Sequence, residues 1–228
     1  MKRLFFYLII LVFTSNRVSA QTKHEQTGWG MFLNSTKLSD KWGLHLDVQA
    51  RSGDNLTGVR NVLVRPGLTY FINSKQNVTV GYLLATTDVG ATTLYESRIW
   101  QQYILNHKIG SVFASHRFRL EQRFLDQPND NFMQRFRYFF RFIQPLHNSE
   151  GGFSKGAFLA LQNETFFNVQ NKDLTNGKLF DQNRVYLAVG YRLSKKMDLE
   201  VGYMNQAVNG VSRYTINNIG QLAVYTRF

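Results

Sequence analysis

Cysteine is absent from the 228 residues, proline occurs three times, and only 18% of the chain is charged. Without thiols there is no disulfide framework, no thiolate metal site and no cysteine nucleophile. After residue 20 no stretch reaches the 18 or more consecutive apolar residues of a membrane helix. No 3.6-residue period persists over three turns, and no linker or low-complexity stretch marks a second domain. Catalytic signatures are missing too: there is no G-x-S-x-G elbow, no H-E-x-x-H helix and no P-loop. The five histidines, His24, His45, His107, His116 and His147, are scattered singly.

What is present begins with an export signal. Met1-Lys2-Arg3 is basic, Leu4 to Phe13 is apolar, and Val18-Ser19-Ala20 offers small residues at a cleavage spacing. An apolar run of ten is too short for a membrane anchor, and Gln21 is no lipidation site. The expectation is a signal peptide over 1–20, cleaved, and one domain over 21–228. Removing Lys2, Arg3 and Arg17 leaves 24 of the 27 basic residues against 15 acidic ones, so the positive excess survives.

The mean hydropathy of −0.28 would suit a soluble protein. A membrane β-barrel has the same unremarkable average, because lipid-facing apolar residues alternate with polar lumenal ones. That alternation recurs. Trp42, Leu44, Leu46, Val48 and Ala50 interleave with Gly43, His45, Asp47, Gln49 and Arg51. Asn77 to Thr87 places Val78, Val80, Tyr82 and Leu84 on one face. Phe118, Leu120 and Phe124 oppose Arg117, Arg119, Glu121 and Arg123. Phe136, Tyr138, Phe140 and Phe142 oppose Arg135, Arg137 and Arg141, with Phe139 the apolar intruder. Arg184 to Leu193 repeats the pattern, and weaker versions cover 61–72, 95–106, 157–168, 197–206 and 216–228. Segments of 10 to 15 residues exceed the usual soluble strand of about 5 or 6 and match a tilted membrane strand of about 9 to 11. The fold class expected is all-β, a transmembrane antiparallel up-and-down β-barrel of 10–12 strands.

Connections alternate between short polar turns (73–76, 107–111, 194–196) and longer segments (87–94, 126–131, 169–182, 207–215), the long ones placed outside. Residues 147–156 break the rule. Two further features sit awkwardly. Pro66 falls within a strand, where a bulge is expected. From Trp42 onward there are ten strands with both ends periplasmic, and Gly28 to Thr36 reads as an eleventh, joined by the tight Leu38-Ser39-Asp40-Lys41; because even counts are the rule, it would lie in the lumen or across the rim, or a twelfth strand is missed. Trp29, Trp42, Tyr70, Tyr103, Phe124, Phe167 and Tyr191 would form the interfacial girdles. The last segment carries Leu222, Val224, Thr226 and Phe228 on one face, and a terminal aromatic is how Gram-negative outer-membrane barrels are recognised by the barrel-assembly machinery. The partners expected are that machinery, through the Phe228 strand, and outer-membrane lipid.

The strongest chemical constellation is basic. Arg117, Arg119, Arg123, Arg135, Arg137 and Arg141 fall on the polar faces of adjacent strands with Glu121, and Arg98, Arg184, Glu96, Glu164 and Glu200 have similar positions. These twelve are expected to line the lumen, as an interior ladder of guanidinium–carboxylate pairs or as a positive, anion-preferring pore. A nucleic-acid-binding sheet would carry aromatics and cations on one face, whereas here they oppose each other, so no nucleic acid is expected. His116 and Ser115 point to opposite faces and cannot meet without a register break. No catalytic residue and no cofactor is expected. An outer-membrane hydrolase with a rim site, or a scaffold whose loops bind a partner, remain as alternatives. Asp126 and Asp130 could hold Ca²⁺, yet such a loop is more often a solvated turn, and no metal site is assigned.

Several blocks carry a resemblance: Glu96-Ser97-Arg98, His116 to Phe124, Arg135-Phe136-Arg137-Tyr138, Asn163-Glu164, Asp181 to Arg184 and Gly202 to Gln206. Together they resemble an uncharacterised family of Gram-negative outer-membrane proteins, the domain of unknown function 2490, over essentially the whole chain after residue 20. The H-R-x-R-x-E-Q-R-F block is the most specific part. The resemblance implies an outer-membrane β-barrel and supplies no activity, ligand or site.

Overall fold

The computed structural model describes residues 22–126, 131–146 and 152–228; the expected signal peptide, Pro128 to Asp130 and His147 lie outside them. The alternating segments become eleven strands: β1 (Thr22–Lys37), β2 (Trp42–Ser52), β3 (Val59–Phe71), β4 (Gln76–Asp88), β5 (Thr93–Ile109), β6 (Val112–Phe124), β7 (Phe132–Pro145), β8 (Gly156–Gln170), β9 (Phe180–Ser194), β10 (Met197–Asn209) and β11 (Tyr214–Arg227). Helix among the described residues is confined to two single 3-10 turns, Asp54–Leu56 and Lys172–Leu174.

Each strand pairs antiparallel with the next, and β1 meets β11 to close the barrel. This last pairing is parallel, from Thr22 opposite Tyr214 to Ser35 opposite Arg227. Successive reversals make the first and eleventh strands run the same way, so an odd count cannot close otherwise. The segment Gly28 to Thr36 is thus the eleventh strand that its pattern suggests, a full stave of the wall; the expectation of an even count, which put it in the lumen, across the rim or beside a twelfth strand, is corrected. It follows that the start of β1 and the end of β11 lie at opposite rims, where ten strands would have brought the ends together.

At Pro66 the expected bulge does not form. Pairing of β3 with β4 skips Arg65 and Pro66 and resumes from Val64 opposite Leu84 to Gly67 opposite Gly81 in unchanged register. One missing amide donor interrupts the ladder locally without requiring an extra residue. Register shifts occur instead at Arg51/Ser52, Gln134/Arg135, Phe166/Phe167 and Met197/Asp198.

One rim carries the connections 38–41, 72–75, 110–111, 146–155 and 195–196; we call it the short-turn rim. Of the two two-residue turns, 110–111 needs Gly110, whose φ of 58° suits a residue without Cβ. In the first turn Lys37 Nζ donates to Asp40 at 2.8 Å and holds that exposed carboxyl below the usual carboxylate range. The opposite rim carries 53–58, 89–92, 125–131, 171–179 and 210–213. These loops are shorter than the sequence suggests, because β4, β5, β10 and β11 continue pairing through 87–88, 93–94, 207–209 and 214–215.

The barrel is apolar outside and polar inside. Leu44, Leu68, Val80, Leu84, Leu161, Leu187, Val189, Val201 and Leu222 are exposed, whereas Asp47, Arg119, Glu121, Arg137, Glu164 and Glu200 are buried. On β9 the outward series Val185, Leu187, Val189, Tyr191 and Leu193 covers about 26 Å of strand, close to the apolar band of about 25 Å typical of membrane barrels before tilt is allowed for. The outward amides that interrupt the belt satisfy one another: Gln101 and Gln122 exchange bonds at 3.0 and 3.2 Å, and Asn163 and Asn183 at 2.9 and 3.1 Å.

Inside, large aromatics are seated over glycines on neighbouring strands. Phe158 is fully buried against Gly190, where an added Cβ would lie 2.1 Å from the ring. Gly190→Val is expected to cost about 1–3 kcal/mol by displacing Phe158 from its cluster with Tyr186, Met204 and Ile219, read as a lower urea midpoint of unfolding.

Candidate functional site

The period-2 geometry of β5 to β10 turns one set of side chains inward, and at mid-height that set is dominated by arginine. All twelve sequence candidates lie on the enclosed side. They form linked groups around four glutamates.

Glu96 accepts from Arg98 at 2.8 and 2.9 Å and from Arg123 at 2.5 and 3.1 Å, both in paired geometry. Glu121, 1% exposed, accepts from Arg135 at 2.8 and 3.1 Å, from Arg137, and from Arg98 at 3.4 Å, with Arg119 Nη1 at 3.9 Å. Glu164 takes Arg137 at 2.6 and 2.9 Å and Arg117 at 2.6 Å, with Arg184 at 3.9 Å. Glu200 is bonded by Arg141 and by the Tyr225 hydroxyl at 3.2 Å. Because Arg137 bridges Glu121 and Glu164, and Arg98 bridges Glu96 and Glu121, three of the groups are one continuous cluster. It reaches inward from β5, β6, β7, β8 and β9 on the loop-rim side, where Arg119, Glu121, Arg137 and Glu164 are buried. Shared carboxylates, three glutamates against Arg98, Arg117, Arg123, Arg135 and Arg137, are what allow these charges to be held out of water, and the cluster keeps a positive excess.

Sequence reasoning did not pick out several members. Arg51 lies 3.8 Å and Arg184 5.0 Å from the Trp29 ring, so this tryptophan is held between two guanidiniums in the lumen. That corrects its place in an interfacial girdle: β1 turns Trp29, Met31 and Leu33 inward and leaves Gly28, Gly30 and Phe32 outside. Arg65 is 4% exposed and has Asp47 as its ion-pair partner at 3.3 Å. Asp198 joins Arg192 and Arg227 at the short-turn rim. Alternation on β2 had placed Asp47 and Arg51 on the polar face, so a parity count would have found them. Phe139, the intruder on β7, faces inward under Arg117, 4.4 Å from its ring.

Below the cluster the lumen is hollow. A cavity of about 400 Å³ runs from Arg137, Glu164, Arg184 and Trp29 toward the short-turn rim, where Ser35, Phe71, Asn77, Asn106 and Asp198 surround it. Phe153, from the long 146–155 connection, packs on Phe158 and Phe113 and covers part of this end; its carbonyl accepts from Arg192 at 2.9 Å. The cavity wall includes Arg65, Arg117, Arg137, Arg141, Arg184 and Arg227 against Asp47, Glu164 and Asp198.

Two of the histidines expected to stand alone are joined. His107 and His116 stack with 3.1 Å between their Nε2 atoms, and His116 Nδ1 lies 2.9 Å from the Tyr138 hydroxyl. All three point outward, brought together by the β5–β6–β7 register, which the sequence does not display. Among the described residues no serine hydroxyl is hydrogen-bonded to a histidine, and no group of three or more His, Asp or Glu could hold a metal. Asp126 accepts the Tyr95 amide at 2.9 Å; its expected companion Asp130 lies outside the described residues.

The comparisons with known proteins agree on kinship and carry no activity. A family model described as "Protein of unknown function (DUF2490)" matches residues 26–217. The "Uncharacterized protein MexAM1_META1p0181" of Methylorubrum extorquens is 26% identical, over 99% of this chain and 98% of its own length. No solved structure matches.

Proposed function

Since the chain belongs to the DUF2490 family, whose description assigns no role, we propose from its geometry that it is an outer-membrane β-barrel with a blocked lumen, a structural membrane barrel and not a through-pore. The observation that carries this reading is the continuous cluster of Glu96, Glu121 and Glu164 with their arginines, which occupies the lumen on the loop side. An ion crossing it would have to break hydrogen-bonded ion pairs held away from water, whereas a conducting filter needs sites weak enough to leave. The exposed apolar belt, strands longer than soluble sheets use, and the signal-like start of the sequence support insertion in the outer membrane after export. Mature outer-membrane partners are then lipid and the assembly machinery that reads the terminal strand.

Reconstitution into planar bilayers tests the blockage. The protein is expected to give no steady conductance above the bare membrane. Reproducible anion-selective steps would replace this reading with that of a positive pore.

A further inference from the structure

The cavity below the arginine cluster reaches the short-turn rim and is lined by both cationic and apolar side chains. Over its whole length six guanidiniums face it against three carboxylates, and Arg141 is also paired with Glu200. Among the polar groups of the wall it also presents the apolar side chains of Met31, Leu33, Phe71, Ile104, Phe139 and Ile143. Its polar groups are also incompletely bonded. Arg65, although 4% exposed, leaves Nε and Nη2 without an acceptor, and the Nε atoms of Arg117 and Arg184, His45 Nε2 and Gln221 Nε2 are unpartnered as well. All five of these residues line the cavity. A buried donor left unsatisfied costs about 1–3 kcal/mol, more when charged, so several at one place make an anion the natural complement.

We propose that this cavity is a binding site for a single-chain anionic amphiphile, with its head on Arg65, Arg117 and Arg184 and its alkyl tail toward Leu33, Phe71 and Ile143. Guanidiniums bind carboxylate and phosphate oxygens through paired N–H donors, so the head is a carboxylate or a phosphate monoester. A volume of about 400 Å³ lies at the small end of ligand pockets, which span about 300–1,000 Å³, and admits one short chain and not a two-chain lipid. The site needs the barrel alone and is independent of where the barrel resides.

Calorimetric titration of the purified protein, held folded in amphipol, tests this with four probes: octanoate, octyl phosphate, octanol and acetate. At least one of the two anionic amphiphiles is expected to saturate at one per chain, ten-fold or more tighter than octanol or acetate. Tighter octanoate assigns the natural head as a carboxylate, and tighter octyl phosphate assigns a phosphate. Arg65→Gln and, separately, Leu33→Trp, which fills cavity space without altering the net charge, should each weaken binding ten-fold or more. If Arg65→Gln does not fold, as judged by loss of heat-modifiable gel mobility, Leu33→Trp carries the test. Octanol binding as tightly as both anions, many molecules bound per chain, or a folded Leu33→Trp barrel that binds like the parent would overturn the proposal. None of these results depends on whether bilayers record a current, so failure here and failure of the blocked-barrel reading are separable.

Discussion

Glu121→Gln is expected to destabilise the barrel by about 3–5 kcal/mol, the largest effect of any single charge removal in the lumen. Glu121 is 1% exposed and is the shared acceptor for Arg98, Arg135 and Arg137. The amide keeps the shape and deletes the charge, so three guanidiniums already out of water lose their common counter-ion. Arg135 retains Asp181 at 3.0 Å, Arg98 retains Glu96 and Arg137 retains Glu164, which keeps the loss finite. Equilibrium unfolding in urea from lipid vesicles, followed by far-ultraviolet circular dichroism, measures it. A change under about 1 kcal/mol would mean that water screens the cluster as it screens an exposed pair, and the blocked lumen would have to be abandoned.

Trp100→Ala should cost a similar amount, about 3–5 kcal/mol, for an unrelated reason. Trp100 is fully buried and lies in a trough made by Gly67 and Gly81, which face each other across β3 and β4. A Cβ at Gly81 would sit 2.3 Å from the indole and 2.4 Å from the Pro66 carbonyl, both of which must shift to admit it. The other face of the indole supports Arg119, whose guanidinium carbon is 4.5 Å from the ring. Removing the ring therefore empties the trough and undercuts an arginine that is 1% exposed. Gly81→Ala is the companion test: it overfills the same trough and is expected to lower stability by about 1–3 kcal/mol. If both variants unfold at the parent's midpoint, the indole is a passenger in the wall.

Much of this architecture was legible from period 2. On β6 and β7 the alternation of mostly apolar residues with Arg117, Arg119, Arg123, Arg135 and Arg137, broken by Gln122 and Phe139, assigns each side chain to a face without any tertiary information, because a strand offers only two faces. β1 was not legible in the same way. Its outward positions begin with Gly28 and Gly30 before Phe32, while Trp29, Met31 and Leu33 face inward, so the usual apolar-out sense is lost along most of the strand that seals the seam. An aromatic near a strand end cannot declare which face it occupies, and Trp29 was misplaced for that reason. Pairings that depend on inter-strand register, such as His107 with His116 or Arg137 with both Glu121 and Glu164, are invisible to a one-dimensional pattern. The cavity was out of reach as well, since emptiness depends on the diameter set by strand number and stagger.

The parallel joint between the first and last staves constrains how the molecule comes together. Every other neighbour can zip up from a local reversal, but this joint brings together positions as distant as Thr27 and Asn217, whose side chains are hydrogen-bonded at 3.1 Å. No nucleus near either terminus can form it, so it is the last ladder made, and until then both edges present unsatisfied amides. Lifting β1 away would leave β2 and β11 running in opposite directions, a ten-stave arrangement able to shut on itself. The opening stave is thus the removable one, and an assembly intermediate lacking it would already be a cylinder in waiting.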